Sequence, residues 1–169
     1  EVERRACYRA AVAELPEGDD GLAWVSMAEV GRAAAEALFA EIVATDPWWD
    51  EPEPPAAVLA AWLRDPILQC DDDVVHLGVR DGRAVAFVSA QVNPRSGWGR
   101  ITYLGLRAEL RGQGLGAVVH RHGFAMLRAR GGVTYEGGTA VDNVPMRRLF
   151  EQHGCDCFRI EVGYRWTPG

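Results

Sequence analysis

The residues best suited to chemistry lie between positions 111 and 116, where an arginine precedes three alternating glycines: Arg111-Gly112-Gln113-Gly114-Leu115-Gly116. An apolar, helix-like run reaching residue 130 follows directly. Glycine turns through left-handed conformations and leaves its amides uncovered. Successive N–H groups at a helix N-terminus then attract an anion. Four uses fit such a turn: a dinucleotide fingerprint, a P-loop, a purely structural strand-to-helix turn, and a pyrophosphate cradle of the pattern R-x-x-G-x-G.

Composition removes one of them. All 18 basic residues are arginine, so a P-loop and any Schiff-base mechanism lack their lysine. The dinucleotide pattern G-x-G-x-x-A is satisfied by Gly112 to Ala117, with Glu136 about where a ribose-binding acid would stand. Its context is wrong, because that fingerprint opens the first βαβ unit of a doubly wound domain. Here a meander of strands precedes the turn, and only about 50 residues follow.

The elements that must position the turn follow from periodicity. Residues 22–27 read as a strand and 28–45 as an alanine-rich amphipathic helix ended by Asp46-Pro47. The loop DPWWDEPEPP (46–55) leads into a second helical stretch. Two apolar runs over 74–92 flank Asp81-Gly82, a strong hairpin signal. A strand at 101–110, the glycine turn and its helix, a strand at 133–141, a helix starting near Asn143 and a strand at 158–166 complete the order. This predicts an α+β (mixed α/β) single domain over 1–169: a mostly antiparallel sheet of six to seven strands flanked by about four helices. Residues 1–20 read as a leader. ACYRAAVA (6–13) resembles DCFRIEVG (156–163), which suggests the tail of a preceding, related domain.

The 169 residues are enough for a core without staples. The net charge of −6 argues against nucleic acid as partner, and no apolar run approaches a membrane span. Cys7, Cys70, Cys155 and Cys157 lack zinc-site spacing, so no metal and a cytoplasmic location are expected.

A second motif, Asn143-x-x-Met146-x-x-Leu149-Phe150-x-x-x-Gly154, lies downstream of the turn. With it, the chain resembles the GNAT superfamily of acyl-CoA-dependent N-acyltransferases. Its Q/R-x-x-G-x-G/A turn lies between the fourth strand and third helix, and its fourth helix carries N-x-x-A-x-x-L-Y-x-x-x-G. The resemblance covers roughly residues 20 to 166. It implies acetyl-CoA as co-substrate, with the amides of Gly112, Gln113, Gly114, Leu115 and Gly116 on the pyrophosphate. It further implies that Leu104 and Leu106 pair their backbone with the pantetheine arm, the amide near Leu106 serving as oxyanion donor. Asn143, Met146 and Phe150 belong to the same cofactor-side signature. Arg107, Arg111, Arg147 and Arg148 are candidates for phosphate charge.

Direct attack by an amine requires a base, and Glu136 is the first candidate. Thr102 is placed by the resemblance on the acceptor side, able only to orient water. His76, His120 and His122 are weaker choices, the last two reading as surface or packing residues. Where relatives carry an acidic tyrosine this chain has Phe150, so the thiolate leaves unaided or through water. The loop bearing Trp48, Trp49 and Asp50, with Asp46, Glu51 and Glu53, suits an ammonium. The expected acceptor is therefore a small, cationic amine. A protein or peptide N-terminus and a silent CoA-binding module are the alternatives, and a homodimer is compatible with each.

Overall fold

The computed structural model describes residues 2–18 and 21–164. Seven strands form one sheet: β1 (Val2–Ala11), β2 (Ala23–Ser26), β3 (Val75–Arg80), β4 (Arg83–Val92), β5 (Trp98–Leu106), β6 (Thr134–Ala140) and β7 (Asp156–Tyr164). Their order is β2-β3-β4-β5-β6-β1-β7. All neighbouring pairs are antiparallel except β5 and β6. The predicted hairpin is present, its turn taking positive φ at both Asp81 (52°) and Gly82 (75°), as a two-residue turn between twisted strands requires.

The helix expected over 28–45 is broken. Ser26 and Glu29 form a capping box on the short α1 (Met27–Val30), and Gly31, at φ 85°, separates it from α2 (Arg32–Val43). A glycine at positive φ ends one helix and resets the axis for the next. Then α3 (Pro55–Trp62), α4 (Leu115–Ala129) and α5 (Val144–Gln152) follow.

Two apolar cores lie on opposite faces of the sheet. On one, α2 and α3 bring Leu38, Phe39, Ile42 and Leu59 onto Leu77 and Phe87. On the other, Val119, Phe124 and Leu127 of α4 and Phe150 of α5 cover Val88, Ala90 and Tyr135.

The leader is part of this core. Residues 2–11 form the strand between β6 and β7, with Ala6 and Tyr8 fully buried. The Tyr8 ring stacks on Phe150 at 4.3 Å. The last strand ends within the described residues at Tyr164, and positions 165–166 of the expected strand lie outside them. Among the described residues no helix is long and apolar enough to cross a membrane.

Candidate active site

The site begins where the sheet comes apart. Strands β5 and β6 pair in parallel only at Trp98↔Thr134 and Gly99↔Tyr135, and beyond these two pairs they diverge. The Arg107 N–H donates to Val85 O of β4 (3.0 Å). Because strand residues alternate sides, Leu106 and Leu104 turn their backbone groups the other way, toward the gap. The Leu106 carbonyl there accepts from Arg111 Nε (3.1 Å). A row of strand-edge groups thus faces a wedge-shaped opening.

The glycine turn stands at the wide end of this wedge, joined to β5 by a 3-10 turn at Ala108–Leu110. Gly112 has φ 75°; Gly114, the residue preceding α4, has φ 81° and ψ −10°. A side chain built on either would meet nothing within 4 Å. The turn is therefore glycine-rich for its backbone conformation and for the open space in front of its amides. No packing contact accounts for Gly112 or Gly114. Leu115 and Gly116 begin α4, whose 15 residues align their peptide dipoles toward that space. A pyrophosphate fits this geometry: uncovered amides, a helix N-terminus and no carboxylate bonded to the turn's backbone. Gly116 also permits close packing, since its Cβ would lie 3.4 Å from Leu149.

The arginines divide. Arg111 folds back to the carbonyls of Ile42 and Thr45, capping the end of α2. Arg107 bonds Ala84 O (2.8 Å) and pairs with Glu41. Both anchor the C-terminal end of β5 to the rest of the fold, and their charge is already committed. Arg147 donates to Val141 O (3.0 Å) and Tyr8 Oη (3.3 Å). Arg148 is exposed on α5. Gln113 donates to Glu109 O (2.8 Å), bracing the turn. Asn143 caps α5, its side chain accepting from Met146 N–H (3.2 Å), which explains the Asn-x-x-Met spacing.

Glu136 lies one residue past the last β5–β6 pair. It shares a register level and face with Arg9 of β1, with which it forms an ion pair of 3.1 Å. The Arg9 guanidinium in turn sits 4.1 Å above the Phe158 ring. The carboxylate thus stands at the narrow end of the wedge, held by a residue of β1.

Thr102 occupies a bulge in β5. Its hydroxyl donates to Gln91 Oε1 (2.9 Å) and accepts from Arg100 Nε (3.2 Å), while Arg100 reaches Asp65 (3.2 Å). Buried Gln91 also donates to Trp62 O (2.9 Å). These bonds tie the segment after α3 to the sheet, so the hydroxyl is engaged in structure.

Of the acceptor-loop residues, Trp48 is exposed. Trp49 packs edge-on against Phe39 (5.3 Å) and Tyr103 (5.5 Å). Asp50 is exposed on the same loop. Asp46 accepts from Tyr103 Oη (2.7 Å); burial and that carboxylate push the phenol well above its usual range. His76 of β3 and His122 of α4 bond each other (2.8 Å), and β4 and β5 lie between β3 and the wedge. Burial, then the neighbouring His122, lowers His76 to about 4. His120 is fully buried.

The acetyltransferase (GNAT) family model matches residues 35–155, a span from α2 to the end of the second motif. The chain belongs to the GNAT acetyltransferase family. Solved GNAT structures share its fold. A GNAT-family protein from Novosphingobium aromaticivorans is 21% identical with a TM-score of 0.67, covering 96% of this chain and 63% of its own. A GCN5-related N-acetyltransferase from Sphaerobacter thermophilus is 20% identical with a TM-score of 0.66, covering 95% and 50%. The ribosomal-protein-S18-alanine N-acetyltransferase of Escherichia coli is 18% identical with a TM-score of 0.56, covering 79% and 77%. The chain thus spans half to two thirds of the first two GNAT relatives. No curated protein matches it.

Proposed function

We propose that this GNAT domain transfers an acetyl group from acetyl-CoA to a primary amine of a small, cationic acceptor, by direct attack within a ternary complex. The observation that carries the reading is the wedge between β5 and β6, with an uncovered glycine turn at its wide end and Glu136 at its narrow end.

Each part has a physical task. The amides of residues 112 to 116 bind the pyrophosphate, and the edge groups of Leu104 and Leu106 bind the pantetheine amides. A backbone N–H of the same edge, near Leu106, donates to the developing oxyanion. Glu136 takes up the proton that frees the neutral amine for attack, directly or through one water. Acetyl-CoA supplies the activated thioester carbonyl. Trp48, Trp49, Asp50 and the neighbouring acids of the loop favour a cation on the acceptor.

The acceptor class is tested by measuring amide formation with two sets of amines under one acetyl-CoA concentration. Polyamines and amino sugars form one set, and peptide N-termini the other. Preference for the first supports this reading; preference for the second replaces the small acceptor by a peptide.

A further inference from the structure

The two edges of the sheet are unlike. At one, β2 is four residues long, too short to template another strand well. At the other, β7 runs for nine residues without a proline, and among the described residues no strand pairs with its outer side. Ile160 and Val162 are 44% and 47% exposed along it. A long edge bearing exposed apolar side chains invites a further strand.

The hydrogen-bond phase of that edge follows from β1. At the two ends of β1, Val141 N–H donates to Arg4 O (2.9 Å) and Val12 N–H to Val133 O (2.8 Å), so the even-numbered positions turn their backbone toward β6. The odd-numbered Glu3, Arg5 and Cys7 then bond β7, opposite Gly163, Glu161 and Arg159. The intervening Ile160 and Val162 therefore point N–H and C=O outward. The irregularity in this pairing lies before Arg159, so the stretch from Arg159 to Gly163 is a regular strand.

Charge on that stretch selects one register. Arg159 and Glu161 project from the same face, with side chains 56% and 47% exposed and an ion pair of 2.6 Å between them. A twofold axis normal to the sheet would lay β7 antiparallel to β7 of a second copy. Centred on Glu161 it sets two carboxylates opposite each other, and centred on Arg159 two guanidiniums. Centred on Val162 it brings no opposite charges together. Centred on Ile160 it sets Arg159 opposite Glu161 of the second copy, and Glu161 opposite Arg159 of the second copy, at the closely spaced positions where cross-strand pairs interact best. Ile160 then meets its own equivalent on the axis, and its outward N–H and C=O are both satisfied.

We infer that two copies of this chain join edge to edge through β7, with the twofold axis at Ile160, into one sheet continuous across both. Only β1 separates this edge from β6, which carries Glu136. The Arg159 guanidinium lies 5.3 Å from the Phe158 ring that also carries Arg9, the partner of Glu136. The interface thus adjoins the layer that holds the carboxylate. It stands apart from the acyltransferase reading, which neither requires it nor falls with it.

Sedimentation equilibrium on the 169-residue chain is the test, and a mass twice 18.5 kDa is expected. Arg159→Glu and Glu161→Arg each set like charges across the axis and should give monomers, with Tm moving by no more than about 2 °C because both positions are exposed. Mixing the two variants brings opposite charges together again and should restore the dimer. In a Cys157→Ser background, which removes the exposed native thiol, Ile160→Cys should form a disulfide-linked dimer on mild oxidation. Its Cα atoms across the axis would be about 5.5 Å apart, within disulfide range. Val162→Cys in that background should not, since its equivalent lies about 13 Å along the strand. A monomeric wild type, or a dimer that both charge variants leave intact, overturns the proposal. Cross-linking through Val162→Cys but not Ile160→Cys overturns the register.

Discussion

Replacing Gly114 by alanine separates what the turn does for folding from what it does for binding. At φ 81° an L-residue is strained, by about 1–2 kcal/mol. Its new Cβ touches no protein atom within 4 Å, so no clash adds to that figure. In a domain of this size the loss corresponds to a fall in Tm of roughly 2–4 °C per kcal/mol. Gly131, after the end of α4, supplies the control. Its φ is 77° and its Cβ is equally unobstructed, but it lies at the opposite end of the helix. Gly131→Ala should therefore lose similar stability. Only Gly114→Ala places a methyl group in front of the amides. Losing one charge-assisted bond there costs about 1.5–3 kcal/mol, or roughly 10- to 100-fold in Kd. Thermal melts and titration with acetyl-CoA on both variants give the comparison. Equal acetyl-CoA affinities in the two variants would refute the assignment of the turn to the pyrophosphate.

Glu136→Gln should lower kcat by about 10²- to 10⁴-fold while acetyl-CoA affinity, measured by calorimetry, stays unchanged. Thr102→Val should reduce stability by about 1 kcal/mol in urea unfolding and leave kcat within a few-fold, because its hydroxyl serves Gln91 and Arg100. Tyr8→Ala removes a ring stacked on Phe150 and should cost about 3–5 kcal/mol by the same method, as befits a strand in the core. Stability should also fall as pH drops from about 6.5 to about 4. His76 titrates near 4 when folded and near 6.5 when unfolded, so in that window the unfolded chain binds more protons. His120 and His153 are shifted in the same direction. Urea midpoints across the window should slope less steeply in His76→Gln than in the wild type.

The sequence made the cradle legible because its signal is local. Glycines at 112 and 114 are required by backbone conformation and open space, and Asn143-x-x-Met146 is a helix cap. Asp81-Gly82 announced its hairpin for the same reason. The seat of residues 2–11 was not legible, since the pairing of β1 with β6 and β7 joins segments more than 120 residues apart. With β1 hidden, so was Arg9 as the partner of Glu136. The arginines at 107 and 111 looked available because composition reveals charge but not the carbonyls that claim it. Alternation along Tyr135-Glu136 could have placed a phenol behind the carboxylate. The hydrogen bonds that link Tyr135, His120 and His153 depend on how α4 and α5 pack, which no local pattern states.

The most direct test of the central claim is thiol release from acetyl-CoA, followed with and without a small cationic amine and set against the amide formed. The account predicts amine-dependent release, one thiol per acetylated amine, lost in Glu136→Gln. Release that is independent of the amine, or no release with any amine despite bound acetyl-CoA, would contradict it.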